Sequence, residues 1–225
     1  PRAFATDSSD MYVVGLDASV SPSYQWRIEK RNLSDGSLVT GFGNNGVIAG
    51  VQSTAVFTEP GGIAIDSTYM YIVGYETASS TKTLRIEKRN LSDGLLMTSF
   101  GANGVITGGQ SNTFPTGNVA IAIDSTSMYV VGQGNSGYQI EKRNLSDGTL
   151  APTFGTNGIA TLSTFLESNI LTDGVSMYLS TGGSVEKRSL SDGSPVLSFG
   201  SNGVLTPSAF NVSALAVDST YLYLG

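Results

Sequence analysis

The sequence predicts an all-β fold: a β-propeller of four-stranded antiparallel blades, four complete repeats plus a partial fifth. Three observations lead there. The octapeptide EKRNLSDG recurs at 29–36, 87–94 and 141–148, with EKRSLSDG at 186–193. Each copy is followed by an FGxNG segment, FGNNGV at 42–47, FGANGV at 100–105, FGTNGI at 154–159 and FGSNGV at 199–204. Each is preceded by an apolar run, MYVVG at 11–15, MYIVG at 70–74, MYVVG at 128–132 and MYLS at 177–180, and a fifth copy, YLYLG, stands at 221–225. The repeats run approximately over 1–59, 60–117, 118–166 and 167–211, with a partial one at 212–225. Four strands in a period of 45–59 residues lie in the range of propeller blades.

Strand A is the short run that ends at Asp7, Asp66, Asp124, Asp173 and Asp218; it is rich in Ala beside Ile (Ala64, Ala122, Ala216), which suits a crowded innermost position. Strand B is the MYVVG run. Val13 points away from Tyr12 and Val14, so the strand is apolar on both faces and needs cover on both, as stacked blades provide. Strand C is IEKRNL. Strand D begins after the Asp–Gly turn and continues past Asn–Gly, dipeptides that supply the positive φ of tight hairpins. A β-solenoid is the rival, but its coils are shorter and need fewer tight hairpins.

The segment SDGSLVTGFGNNGV at 34–47 resembles the signature of the delta-sixty repeat propellers, with FGxNG its specific part, and the resemblance covers all four complete repeats. More loosely, strand C, the turn and strand D are similar to PQQ-like propeller repeats. Strand C departs from the pattern, with Glu and Lys where family members usually carry apolar residues. The resemblance implies a bacterial or archaeal surface or secreted protein, and it brings no catalytic residue.

Composition narrows the function. Charged residues make up 13% of the chain and the net charge is −6, so no excess of Lys and Arg is available for phosphates and nucleic acid is not an expected partner. The apolar runs are far too short for a membrane span. With no Cys and no His, cysteine proteases, Ser–His–Asp hydrolases and the usual zinc sites are excluded within this chain. No cofactor is expected. No signal peptide is visible, residue 1 is Pro rather than Met, and the 225 residues are expected to be a propeller segment of a longer chain, with strands C and D of the fifth repeat supplied by further sequence or another chain.

Spacing separates scaffold from loops. The strand C Glu and the FG Phe stand 13 apart in every repeat (Glu29–Phe42, Glu87–Phe100, Glu141–Phe154, Glu186–Phe199). The step from Asp7 to Glu29 is 22, from Asp66 to Glu87 is 21, from Asp124 to Glu141 is 17 and from Asp173 to Glu186 is 13. The B–C and D–A connections therefore vary, and in an up-and-down blade both emerge on one face. Tyr24, Trp26, Tyr75 and Tyr138 are placed on that face. They suit stacking on a sugar or a partner surface, or else they cap the core under their own loops.

Three further constellations recur. Glu–Lys–Arg puts Glu and Arg on one face of strand C and Lys on the other; each cation brings its own carboxylate, which favours Glu–Arg pairing between neighbouring strands or blades over a charged ligand ring. Aspartates at the A–B turn (Asp7, Asp66, Asp124, Asp173, Asp218) and the C–D turn (Asp35, Asp93, Asp147, Asp192) read as side chains capping their own turns; no DxDxDG-type string accompanies them and no metal is expected. Asn32, Asn90, Asn144 and Asn211 open N-x-[ST] triplets, candidate glycosylation sites in a secreted chain or ordinary residues approaching a turn. The expected function is a non-catalytic extracellular or cell-surface module that binds protein or carbohydrate through its variable-loop face. The alternative is a structural subunit of an extracellular filament or surface assembly, with self-assembly possible; less favoured is one part of a propeller enzyme.

Overall fold

The computed structural model describes residues 1–17, 19, 24–49, 57–78, 81–108, 119–134, 137–162, 169–181, 183–208 and 211–225. Its strands form four four-stranded antiparallel sheets and one two-stranded sheet, consistent with propeller blades. The chain divides into two compact units, Pro1–Thr116 and Gly117–Gly225. The first holds β1 (Ala3–Thr6), β2 (Asp10–Asp17), β3 (Gln25–Asn32) and β4 (Val47–Ala49) as one sheet, and β5 (Phe57–Ile65), β6 (Tyr69–Ala78), β7 (Thr81–Asn90) and β8 (Val105–Thr107) as the next. The second holds β9 (Ala120–Ile123), β10 (Ser127–Gly134), β11 (Gly137–Asn144) and β12 (Ile159–Leu162), then β13 (Ile170–Thr172), β14 (Ser176–Ser180), β15 (Val185–Ser189) and β16 (Val204–Leu205), then β17 (Leu215–Val217) with β18 (Leu222–Leu224).

The turns follow from their residues. At the A–B turn the Asp7 carboxylate accepts the amides of Ser9 and Asp10, each at 2.8 Å, and the Tyr12 hydroxyl at 3.0 Å. At the C–D turn four residues link Asn32 to Ser37, and the Asp35 carboxylate accepts the Ser37 amide. The last of the four is Gly36 at φ 73°, a left-handed conformation that a Cβ would strain.

Strand D is interrupted. Val39 donates to the Lys30 carbonyl, then the chain leaves the sheet, and pairing resumes where Lys30 donates to the Gly46 carbonyl. The excursion closes on Asn45 and Gly46 at φ 52° and 89°, both positive as a type I′ turn requires. Its purpose is Phe42. That ring, with Phe100 and Phe154 in the same place, is fully buried. Each sits edge-on to the strand B tyrosine of its own sheet, Tyr12, Tyr71 and Tyr129, at centroid distances of 6.3, 6.4 and 6.1 Å.

Within a unit, successive sheets stack through one device. In the first unit Lys30 Nζ reaches over the Tyr12 ring to the Leu91 carbonyl of the next sheet at 3.1 Å, and the Gly43 amide donates to the Asp93 carbonyl at 2.9 Å. In the second, Lys142 Nζ reaches the Leu190 carbonyl at 2.7 Å and the Gly155 amide reaches the Asp192 carbonyl at 3.0 Å. The repeated Lys and Phe-Gly of one sheet thus hold the Leu-Ser-Asp-Gly turn of the next. Tyr12, Val14, Ile28, Phe42, Met70 and Leu91 form one core; Tyr129, Ile140, Phe154, Met177, Leu179 and Leu190 form its counterpart.

Candidate functional site

The four aromatics expected together on a loop face are separated by the structure. Trp26 and Tyr138 lie on strand C, and both stand three residues before the strand C Glu. Trp26 is buried in the first core and Tyr138 packs against the counterpart core. Tyr75 lies on β6 opposite Leu84 and is buried. Only Tyr24 is well exposed, at 44%, while its carbonyl accepts the Thr58 amide of the next sheet. The reason is that the B–C hairpins are longer than the motifs. Pairing runs out to Asp17–Gln25, Ala78–Thr81 and Gly134–Gly137, so inward-facing positions continue beyond MYVVG and IEKR. The repeated Glu was the available signal, since period two from Glu29 and Glu141 fixes which neighbours face inward. The Trp26 ring lies 5.7 Å from the Arg85 guanidinium, and its Nε1 has no hydrogen-bond partner among the described residues.

Each strand C Glu pairs with arginines of its own strand, and pairing between strands and sheets occurs beside it: Arg85 on β7 also reaches Glu76 on β6 at 2.9 Å, and Arg2 beside β1 pairs with Glu59 on β5. Arg85 Nε and Arg89 Nε both donate to Glu87, one to each carboxylate oxygen, at 2.7 Å. Arg89 Nη1 continues to the Gly94 carbonyl at 2.8 Å and so ties the clamp to the C–D turn. Glu29 is held by Arg27 and Arg31, Glu141 by Arg143 and Gln139, and Glu186 by Arg188. Residues i and i+2 share a strand face, which places both guanidiniums beside one carboxylate. The preceding arm, Arg27 or Arg85, stands outside the repeated octapeptide. Burial alone raises the Glu29 carboxyl, but the hydrogen bonds from Arg27 and Arg31 outweigh it and hold the group below its ordinary value.

The A–B turn aspartates cap their turns as expected, and each also takes a tyrosine hydroxyl. Burial raises Asp124, yet the amides of Thr126 and Ser127 and the Tyr129 hydroxyl at 2.7 Å hold it below its usual range. Asp7 and Asp173 are lowered by the same balance. Among the described residues no three Asp or Glu side chains are grouped as metal ligands. Of the triplet asparagines, Asn32 and Asn144 donate to Ser37 Oγ and Thr149 Oγ1 across the C–D turn, Asn90 is half-buried and Asn211 is exposed.

One open cleft of about 740 Å³ lies between the fourth sheet and β17–β18, lined by Asp173, Tyr178, Lys187, Phe199, Thr220 and Tyr221 among others. Nothing in the sequence spacing marks it, because Lys187 and Phe199 repeat Lys30 and Phe42 without change. No protein-family model matches the chain, and no curated protein matches it either.

Proposed function

We propose that this chain is a non-catalytic binding or scaffold module of an extracellular or cell-surface protein, of the delta-sixty repeat propeller kind. The observation that carries this reading is a division of labour. The carboxylates of strand C and of the A–B turns are taken up by guanidiniums, backbone amides and tyrosine hydroxyls. Recognition is left to the connections whose length differs between repeats, where Tyr24 is exposed. The FGxNG signature supports the family reading, and the low Lys and Arg content favours protein or carbohydrate over nucleic acid. The experiment is an array of glycans and surface polysaccharides probed with wild type and Tyr24→Ala. Binding should weaken at least about tenfold in the variant, with the melting temperature unchanged, since an exposed anchor acts on a partner rather than on the core. Glycoside turnover abolished by one Asp or Glu substitution would overturn the reading.

A structural subunit of an extracellular assembly is the second reading. It is favoured by the apolar side chains left open on the fourth and fifth sheets, Val175, Tyr221 and Tyr223 at 77%, 64% and 53% exposure.

A further inference from the structure

We infer that the cleft between the fourth sheet and β18 is a docking site for a β-hairpin whose turn reads Leu-Ser-Asp-Gly and whose flanking strands have the chemistry of the repeat's own strands C and D. The inference goes beyond both functional readings, because it names the partner's chemistry and uses a different surface from Tyr24. It rests on two filled precedents in the same chain. Between the first and second sheets, the turn leucine Leu91 gives its carbonyl to Lys30, its amide to the Thr68 carbonyl at 2.9 Å, and the turn's Asp93 carbonyl to the Gly43 amide. Between the third and fourth, Leu190 and Asp192 meet Lys142, the Val175 carbonyl and Gly155 in the same way. The turn glycine closes the fit. A Cβ on Gly94 or Gly193 would stand 2.9 Å or 2.7 Å from the ring of Phe42 or Phe154.

The fourth sheet and the β17–β18 turn repeat these donors and acceptors, and none of the described residues is seated on them. Lys187 Nζ lies over the Tyr178 ring at 4.8 Å, as Lys30 and Lys142 lie over Tyr12 and Tyr129, but among the described residues it reaches only Asp173, at 4.0 Å. The Gly200 amide and the Thr220 carbonyl, the equivalents of Gly43 and Thr68, are unpaired among the described residues. Phe199 is partly exposed where Phe42 and Phe154 are fully buried. Tyr223 donates to Asp218 as Tyr129 does to Asp124, so it holds the strand B tyrosine position, yet it is 53% exposed while Tyr12, Tyr71 and Tyr129 are at 1% or less. Finally, β18 pairs only with β17 among the described residues, whereas β2, β6, β10 and β14 are paired along both edges. An open strand edge beside two free polar groups, an ammonium and two bare aromatic rings fits one added hairpin.

The first sheet of a second copy is the other bearer of such a turn. Its Leu33 is 48% exposed and a Cβ on Gly36 would meet nothing within 4 Å. That turn is already backed by its own A–B turn, with Leu33 donating to the Ser9 carbonyl at 2.8 Å. Seated in the cleft, it would bring β1 and β2 into the space that β17 and β18 fill. The partner is therefore a strand–turn–strand segment without strands A and B.

The test appends a second copy of residues 132–162 after Gly225, which is the register equivalent of Val131. Hydrogen exchange at Leu222–Leu224 should slow at least about tenfold, as for a strand moved from edge to interior. The melting temperature should rise by about 5 °C or more. Lys187→Met, or Leu145→Asp made only in the appended copy, should remove most of that gain, and Lys187→Met should shift the melting temperature of the unextended chain, where it loses only the contacts with Tyr178 and Asp173, by much less. Unaltered exchange at Leu222–Leu224 in the extended chain overturns the inference. So does self-association of the unextended chain that Leu33→Asp abolishes, which would assign the cleft to a second copy. Neither readout involves a carbohydrate or protein ligand, so failure here leaves the Tyr24 reading standing, and the reverse.

Discussion

Tyr24 and Trp26 are two residues apart and differ in everything that matters for a variant. The first shows 44% of its surface; the second is buried against Phe42, Met70 and Leu91. Trp26→Ala should cost about 3–5 kcal/mol, the range for emptying a buried aromatic site. Tyr24→Ala should stay within about 0.5 kcal/mol. Urea unfolding of the two variants checks this, and equal midpoints would remove Trp26 from the core. The sequence left stacking on a partner and capping of the core both open for these aromatics, and burial assigns Trp26 to the core. A sequence does not mark where a hairpin stops pairing when no Asn–Gly or Asp–Gly stands there, and β2–β3 has neither. The glycines were legible, because Asp–Gly at a hairpin needs a left-handed residue, and Gly36, Gly94 and Gly193 adopt φ of 73°, 77° and 78°. Their cost is not uniform. Gly36→Ala should lose about 1–2 kcal/mol from backbone strain alone. Gly94→Ala should lose more, because its Cβ also meets the Phe42 ring, and a Gly36→Ala loss as large as that of Gly94→Ala would show that strain alone sets the cost.

At the scale of the strand, period two did most of the work. It placed Glu and Arg on one face of strand C and Lys on the other, and the structure gives the two faces separate tasks. The Lys face reaches the next sheet, and the Glu–Arg face braces its own turn through the Gly94 carbonyl and its equivalents. Two things were not legible. Arg27 and Arg85 lie outside the octapeptide and recur in only two repeats, so nothing marked them as second arms of a clamp. The six-residue excursion in strand D is invisible because Asn–Gly signals a hairpin equally well inside a strand or between two. The clamp's worth depends on its burial. Glu87 is 2% exposed between two arginines at 4%, whereas Arg27 and Arg31 beside Glu29 are 38% and 35% exposed. Removing one partner of a buried pair leaves uncompensated charge, so Glu87→Gln should cost about 3 kcal/mol or more. Glu29→Gln should cost about 1 kcal/mol or less, since water already screens its partners. Thermal unfolding that ranks the two variants the other way would mean that burial does not govern the clamp.

Over the molecule as a whole, one turn chemistry is repeated in every sheet, and seven of its aspartates couple stability to acid pH in the same sense. The chain has no His, so no side chain has its ordinary pKa between about 5 and 8. Asp7, Asp124, Asp173 and Asp218 are all held below their ordinary values; in the first three burial pushes upward but is outweighed, and in Asp218 the Tyr221 amide leads the downward shift. Asp35, Asp147 and Asp192 are lowered by hydrogen bonds at the C–D turns. A carboxylate with a depressed folded-state value binds its proton more readily in the unfolded chain. Its stabilisation is therefore complete above the unfolded value, about 3.9 for Asp, and is lost as the pH falls through the lower folded value. The urea midpoint should be nearly flat from pH 7 to pH 5 and then fall steeply below about pH 4. Asp124→Asn should lower the plateau, because one acceptor of the Tyr129 hydroxyl and two amides is weakened, and it should make the acid fall shallower, because one linked proton is gone. A midpoint that drops between pH 7 and pH 5, or an acid limb equally steep in the variant, would show that the turn carboxylates do not set the pH dependence. The same repetition explains why the turns were readable and the cleft was not. A motif announces what each sheet carries, while the difference between a filled Lys30 and an open Lys187 lies in which neighbour is present to receive it.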